Sequence, residues 1–453
     1  MAETTLVTDV LVIGAGLAGF CASLEALAAG RAVVLLEKQP EVGGSTVLSG
    51  GAMAFAGTEG QAEAGIEDSD DRLREDLLRV GERRNDPALV EAYVEAQLDT
   101  WRWLRGHGVR FTSVQLGGGQ SVPRSNRVDP RQMISALAEC AGGNSCFTLR
   151  VGTPARRLIR EGDRITGART DDEEIRARHG VVLASGGFSR DETLLALFAP
   201  AQRDALRIGG RGNTGDGLRM ACAMGAGLAD IGYIRGTFGT HPDAGSEQLS
   251  IIHAIYKGGI AVNRHGMRFI DESLSYKIIG DACLQQPGGL AFQIFDQPIM
   301  ELSVPGVATS DMRAGLADGR VLQADTLEAL AQRAGIDPDG LRSTLARYNA
   351  DVATGRDTLF GRDGLSSHYG KLRAIGTAPF YAFPSTSSVL ATYGGLALHP
   401  QMRVRDVFGA PIPGLFAAGE VTGGLHGAAY MTGSSLGKSA IFGRIAGRNA
   451  AGA

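Results

Sequence analysis

The residues best equipped for chemistry stand near the start of the chain. Gly14-Ala15-Gly16-Leu17-Ala18-Gly19 sets three glycines at GxGxxG spacing, directly after the apolar run Val10-Leu11-Val12-Ile13. In a strand-to-helix turn, the first glycine permits the sharp bend and the second lets the main chain approach a pyrophosphate. The third lets the helix lie close on the sheet. The helix end then offers unpaired N–H groups and partial positive charge to the phosphates. With 65 glycines in 453 residues, such spacing arises by chance, so its context decides. A second apolar run, Ala32 to Leu36, ends in Glu37, about twenty residues on, where a carboxylate accepts from ribose hydroxyls. An acid there favours FAD or NAD over NADP. Gly43, Gly44, Ser45 and Thr46, followed by Ser49, Gly50 and Gly51, supply a second loop of N–H groups suited to wrapping a long cofactor. Arg124 and Arg127 sit in a loop just before a helix start at Asp129-Pro130. Guanidinium is the usual fork for carboxylate or phosphate, so both are candidate anion receptors.

These groups need a strand–helix–strand frame, and the pattern provides one. Thr8 to Ile13 reads as a strand, Phe20 to Ala29 as a small-residue helix, and Ala32 to Leu36 as the next strand. Ser69 to His107 reads as helical, with apolar residues at three- and four-residue spacing from Pro87 to Leu104. Short β segments with a turn at Glu161-Gly162-Asp163 fill Phe147 to Leu183 and end at Ala184-Ser185-Gly186-Gly187-Phe188. Gly212-Asn213-Thr214-Gly215-Asp216-Gly217 then precedes an alanine-rich helix. The rhythm changes near residue 233, and charged helical patches dominate as far as 374. We read 233–374 as an inserted α+β cap. Residues 1–232 and 375–453 then form one α/β dinucleotide-binding domain, completed by the strand Gly414 to Glu420 and a helix from Gly433.

Bulk properties exclude several classes. Apolar content of 43% and charged content of 21% are globular values. A net charge of −4 gives no electrostatic case for nucleic acid or an anionic membrane. No apolar run reaches membrane-spanning length, and Met1-Ala2-Glu3-Thr4-Thr5 lacks the basic start of a secretory signal. A cytoplasmic protein is expected. Cys21, Cys140, Cys146, Cys222 and Cys283 form no CxxC pair, so no metal, iron–sulfur or c-type haem site is expected.

Taken in order, the glycine turn, the Gly43–Gly51 loop, Ser185-Gly186, Thr214-Gly215-Asp216-Gly217 and Ala418-Gly419-Glu420 resemble the flavoprotein superfamily of fumarate reductases and 3-ketosteroid dehydrogenases. The resemblance implies a Rossmann-like FAD-binding domain of the glutathione-reductase type with an inserted cap, or substrate, domain. It implies that the second glycine loop follows the pyrophosphate and flavin, and that Ser185 and Gly186 pack beside the cofactor. Thr214 and Asp216 would cap a helix aimed at the flavin, and Gly419 and Glu420 would bind the ribityl chain. Ser434, Ser435 and Leu436 would open a helix at the flavin pyrimidine, where its dipole favours a reduced, anionic ring. Lys38, Ala155 and Tyr393 complete the implied cofactor contacts. Some members attach the flavin through a histidine in the second glycine loop; Gly44-Ser45-Thr46 stands there, which implies non-covalent FAD.

The same comparison separates branches. Fumarate reductases protonate substrate with a cap-domain arginine fed by a glutamate and a second arginine. They grip carboxylates with a histidine and an arginine near the C-terminus. Here Tyr276 replaces the acid arginine, and His253 and Tyr256 replace the relay. His426 is kept, but Tyr430-Met431-Thr432 occupies the place of the carboxylate-binding arginine. The pattern is similar to the ketosteroid and cyclic-ketone dehydrogenases, in which a tyrosine removes the proton beside a carbonyl and the next carbon gives hydride to flavin. Tyr276 is then the base, and Tyr430, Thr432 and the Gly433 N–H hold the carbonyl. A phenol, ordinarily near pKa 10, needs help to act as a base; Tyr256 or His253 would give it. The expected activity is α,β-desaturation of a cyclic ketone, either a small alicyclic one such as 4-oxocyclohexanecarboxylate or a 3-ketosteroid. A substrate carboxylate would need a cation, from Arg124, Arg127 or Lys257. The absence of a second dinucleotide motif leaves oxygen, a quinone or a carrier protein as electron acceptor. The rivals are a fumarate-reductase-like enzyme reducing an unsaturated carboxylate, and a flavin-binding protein without catalysis.

Overall fold

Val10, Leu11 and Val12 are all fully buried in strand β1 (Thr4–Ile13), the pattern of a parallel strand covered on both faces. The computed structural model describes residues 4–245, 250–307, 309–366 and 370–452. In it, β1 pairs in parallel with β2 (Val33–Leu36) on one side and with Glu173–Leu183 on the other. Phe147–Arg150 extends the sheet beyond β2, and Pro411–Ala417 extends it beyond Glu173–Leu183, both in parallel. Arg403–Arg405 and the hairpin of Arg157–Glu161 with Arg164–Arg169 bring the sheet to eight strands.

Helix α1 (Leu17–Ala28) links β1 to β2 and packs on the C-terminal helix Ser434–Ala450. Small residues make that approach possible. A Cβ on Gly443 would lie 2.5 Å from Ala18 O, and one on Gly447 would lie 2.2 Å from Ala22 O. A three-stranded antiparallel sheet of β3 (Ala52–Ala54), β4 (Phe111–Gln115) and β5 (Ser125–Val128) accompanies these elements. The stretch expected to be helical forms the helices Asp70–Val80 and Pro87–Gly106. Trp101 is buried and stacks on Phe111, with ring centres 5.6 Å apart.

The chain divides into two compact units. One holds the chain up to Ala199, Gly209–Ile234 and the chain from Ala391 onward; the other holds Pro200–Ile208 and Arg235–Leu390. The second unit is built on Phe380–Val389. This strand pairs with Thr237–Thr240, Ala291–Asp296 and Leu322–Ala324 in antiparallel fashion, and with Leu206–Arg207 in parallel. Its core includes Phe292, Ile294, Leu341, Leu345, Tyr348 and Ala382. The boundary read from sequence at 374–375 therefore differs from the observed one. Phe380–Val389 is the central strand of the second sheet, and Pro200–Ile208 joins that sheet from far upstream.

Candidate functional site

The turn between β1 and α1 rests on contacts that only glycine permits. Gly14 has φ +110, and a Cβ there would lie 2.3 Å from Ala184 O; at Gly19 it would lie 1.9 Å from Gly14 O. Gly16 differs, since a Cβ there would meet no protein atom closer than 3.7 Å. The chain's own packing does not require a glycine at that position, but a pyrophosphate lying on the end of α1 does. Ser185 Oγ is likewise buried and makes no hydrogen bond among the described residues. Both openings fit a dinucleotide.

Some of the remaining expected cofactor residues of the first unit are tied to this turn, and others to one another. The second glycine loop is tied to it by Gly43 N–H donating to Ala15 O (2.8 Å) and Leu17 N–H donating to Thr46 Oγ1 (3.2 Å). Glu37 accepts from Ala15 N–H on one oxygen and Gln39 N–H on the other, both at 2.9 Å. Each carboxylate oxygen keeps a lone pair for a ribose hydroxyl. Lys38 Nζ donates to Thr214 Oγ1 (2.6 Å) and pairs with Asp216 (2.5 Å), so residues far apart in sequence converge. Ser45 Oγ accepts from Asn213 Nδ2 (2.9 Å), and Ser49 Oγ accepts from Gly51 N–H (3.3 Å). Gly44 is open to at least 4 Å, a Cβ on Gly50 would have Arg127 Nη1 at 3.9 Å, and Gly51 packs against Val128 O. Gly186 abuts Asn213 Oδ1, and Gly419 abuts Ala18 Cβ. Ala155 is buried just ahead of Arg157–Glu161. Ser434, Ser435 and Leu436 form the first turn of the C-terminal helix, behind Gly433 at φ +87.

Three residues of this region were not singled out from sequence. Asn213 Nδ2 donates to Glu420 (3.0 Å), and Thr392 N–H donates to the same carboxylate (2.9 Å). Burial pushes the Glu420 carboxyl above its ordinary value against these bonds. Lys438 Nζ, fully buried in the C-terminal helix, donates to Thr422 O (2.9 Å), and burial pushes its ammonium down to about 8. Asn213 had a signal, its place inside Gly212–Gly217; Thr392 and Lys438 had none.

The C-terminal turn assembles an aromatic cluster. Tyr430 stacks on Tyr393 with ring centres 4.9 Å apart, and His426 meets both edge-on. His426 Nδ1 lies 3.3 Å from Ser434 Oγ. The Gly433 N–H donates to the Tyr430 hydroxyl (2.8 Å). This corrects the expectation that it addresses a ligand directly, and it polarises the Tyr430 O–H as a donor. Burial pushes the Tyr430 phenol up to about 12, so it keeps its proton at neutral pH. Thr432 is held through its main chain, by Gln120 Nε2 on its carbonyl (2.8 Å) and by Gly118 O on its N–H (3.0 Å). Arg124 is no anion receptor. It is fully buried and paired with Asp68 (2.9 Å) and Asp76 (3.0 Å). Arg127 is half-buried on β5.

In the second unit, Tyr276 is the first residue of helix Tyr276–Leu284. His253 stacks on its ring, with centres 5.0 Å apart and planes 16° from parallel. The roles expected for His253 and Tyr256 need correction. Burial pushes the His253 imidazole down to about 4, and its Nε2 faces Phe238 O at 3.0 Å, so it brings no charge at neutral pH. Tyr256 donates its hydroxyl to Leu274 O (2.7 Å). The charge beside Tyr276 belongs to Lys277, which sequence reading missed. Its buried Nζ lies 5.5 Å from the Tyr276 ring centre and donates to Thr237 Oγ1 (2.6 Å). Lys257 ends the turn Ala254–Lys257, half-buried, and burial lowers its ammonium below the ordinary value. Among the described residues, no cluster of His, Cys, Asp and Glu could hold a metal ion, and no helix is long and apolar enough to cross a membrane.

Comparison with known proteins supplies the family. The FAD binding domain family model matches residues 9–436. The chain is 33% identical to the probable fumarate reductase Ifc3 of Shewanella frigidimarina, over 98% of this chain and 75% of that one. It is 29% identical to the 4-oxocyclohexanecarboxylate 2-dehydrogenase of Sinomonas cyclohexanicum, over 98% of this chain and 93% of that one. Its fold superposes on the open conformation of a flavocytochrome c3 fumarate reductase with TM-score 0.83 and 32% identity, covering 99% of this chain and 78% of that one. It superposes on the 3-ketosteroid-delta4-(5alpha)-dehydrogenase of Rhodococcus jostii RHA1 with TM-score 0.80 and 27% identity, covering 100% and 98%. The chain belongs to the FAD binding domain family and is an FAD-dependent oxidoreductase of the fumarate reductase and ketosteroid dehydrogenase kind.

Proposed function

We propose that this oxidoreductase introduces a double bond α,β to the carbonyl of a cyclic ketone, with non-covalently held FAD. Tyr276 takes the proton from the carbon beside the carbonyl, and Tyr430 donates a hydrogen bond to the carbonyl oxygen. When bound, FAD would supply the acceptor for the hydride that leaves the neighbouring β-carbon as the double bond forms. Loss of the α-proton builds negative charge on that oxygen, and a preorganised donor lowers the barrier by roughly 3–4 kcal/mol. Tyr430 suits this role, because its phenol stays protonated and the Gly433 N–H polarises its O–H. A base needs the opposite setting, and Tyr276 has the buried Lys277 Nζ 5.5 Å from its ring centre. The reading rests on this contrast between two phenols whose surroundings divide acid from base. The 29% identity to a 4-oxocyclohexanecarboxylate dehydrogenase supports the substrate class.

The reverse reaction, with Tyr276 as proton donor to an activated double bond, is supported by the 33% identity to a probable fumarate reductase. Anaerobic mixing separates the two. Under our reading, a saturated cyclic ketone bleaches the oxidised flavin, and Tyr276→Phe slows bleaching by about 10²-fold or more at unchanged flavin content. Failure of every ketone in a panel, together with rapid reoxidation of reduced enzyme by fumarate, would reverse the assignment.

A further inference from the structure

Arg127 differs from the fully buried arginines in its surroundings. Arg124, Arg268, Arg362 and Arg444 each pair with a carboxylate. No carboxylate faces Arg127 among the described residues; the ionisable group that does is the Tyr430 phenol. Its position on the fold explains that neighbour. Arg127 is paired with Ala52 across β3 and β5, and Ala54, two residues along β3, donates its N–H to Gly433 O (3.1 Å). Gly433 in turn donates to the Tyr430 hydroxyl. The guanidinium also passes the second glycine loop, with Nη1 3.9 Å from where a Cβ on Gly50 would be.

A half-buried guanidinium keeps its charge, since arginine does not deprotonate in proteins. Holding it partly out of water without a counter-charge is unfavourable, and a ligand that brings the anion removes that penalty. Its planar fork matches a carboxylate with two parallel hydrogen bonds. We infer that Arg127 is the receptor for a carboxylate on the substrate, so that the natural substrate is an anionic carbonyl compound rather than a neutral ring ketone. This rests on the reading that Tyr430 contacts substrate. Of the other two cations with the right chemistry, Arg124 is occupied by Asp68 and Asp76, which leaves Lys257 as the rival.

The test reads binding without turnover. Holoenzyme is titrated with cyclohexanecarboxylate and with its neutral counterpart, cyclohexanecarboxamide, and occupancy is followed by the flavin difference spectrum. The wild-type protein is expected to favour the carboxylate by roughly 10- to 100-fold at low salt, the worth of a charged hydrogen-bonded pair. Arg127→Gln is expected to abolish the preference. Arg127→Lys is expected to retain part of it while losing at least about threefold, because an ammonium lacks the fork. Equal wild-type affinities, or a preference undiminished in either variant, would overturn the inference. So would a preference lost in Lys257→Gln and kept in Arg127→Gln. A protein that shows the preference but is bleached by no cyclic ketone keeps this inference and discards the desaturase reading.

Discussion

Tyr276 and Lys277 are consecutive residues at the start of one helix, and the Lys277 side chain turns back so that its ammonium faces the Tyr276 ring. Of the ring's other described neighbours, His253 is neutral at physiological pH, and Tyr256 donates its hydroxyl to Leu274 O. Asp281, one turn along the helix, is raised by burial and is bonded to Gln202 (2.7 Å), with Arg235 at 3.4 Å. Under the proposed function, the rate of flavin bleaching rises with pH as Tyr276 ionises. Removing the adjacent charge disfavours the phenolate, so Lys277→Met is expected to move that limb upward by about one pH unit or more, while Lys277→Arg moves it less. An unmoved limb with a lowered plateau would reduce Lys277 to a packing role. The sequence offered Tyr276 but not its helper. Tyr256 and His253 invited attention as conspicuous polar residues, whereas a lysine inside a helical stretch looks like solvent-facing charge until its burial is seen.

At the scale of the element, two arginines that read as one basic loop flank the start of β5 and have unrelated surroundings. Arg124 stands just before Ser125–Val128 and Arg127 within it. Arg124 is buried between Asp68 and Asp76, while Arg127 is half-buried with the Tyr430 phenol as its ionisable neighbour. Their removal should differ in sign or size. Arg124→Met strands two buried acids and is expected to cost about 3–5 kcal/mol of stability. Arg127→Met removes a cation with no acidic partner among the described residues and is expected to be neutral or mildly stabilising. Urea unfolding of the two holoproteins checks this, and similar losses in both would mean that Arg127 has a structural partner after all. The glycine turn, by contrast, was legible at this scale. Its constraints are local, since the clash of Gly19 with Gly14 O is between residues five apart. The Arg124 ion pairs join segments more than forty residues apart, and no pattern in the sequence announces them.

For the whole molecule, legibility followed the same physics. The first unit could be read because its central strands are buried on both faces and appear as unbroken apolar runs between glycine turns. The second unit's limits could not, because Phe380–Val389 is equally apolar and nothing local says which sheet it joins. What closes that second unit is a network of four charges. Arg268 bonds Glu272 (2.9 Å) and Asp357 (2.9 Å), and Arg362 bonds Glu272 (3.2 Å) and the carbonyls of Ile255 (2.8 Å) and Gly259 (3.0 Å). Burial acts to raise the Asp357 carboxyl, but the hydrogen bonds and charge of Arg268 outweigh it and hold the group below its ordinary value. A carboxyl depressed in the folded state contributes stability above its unfolded value, about 3.9, and loses it as pH falls through the folded value. The urea midpoint of the holoprotein should therefore hold steady toward acid and then decline below about pH 4. Asp357→Asn should lower the midpoint at neutral pH and flatten that acid decline, because an amide takes up no proton. An acid slope equal in both proteins would move the titration to other carboxylates. The exposed pairs such as Asp171 with Arg156 are poor substitutes, since solvent and salt screen them to a small fraction of a buried pair's worth.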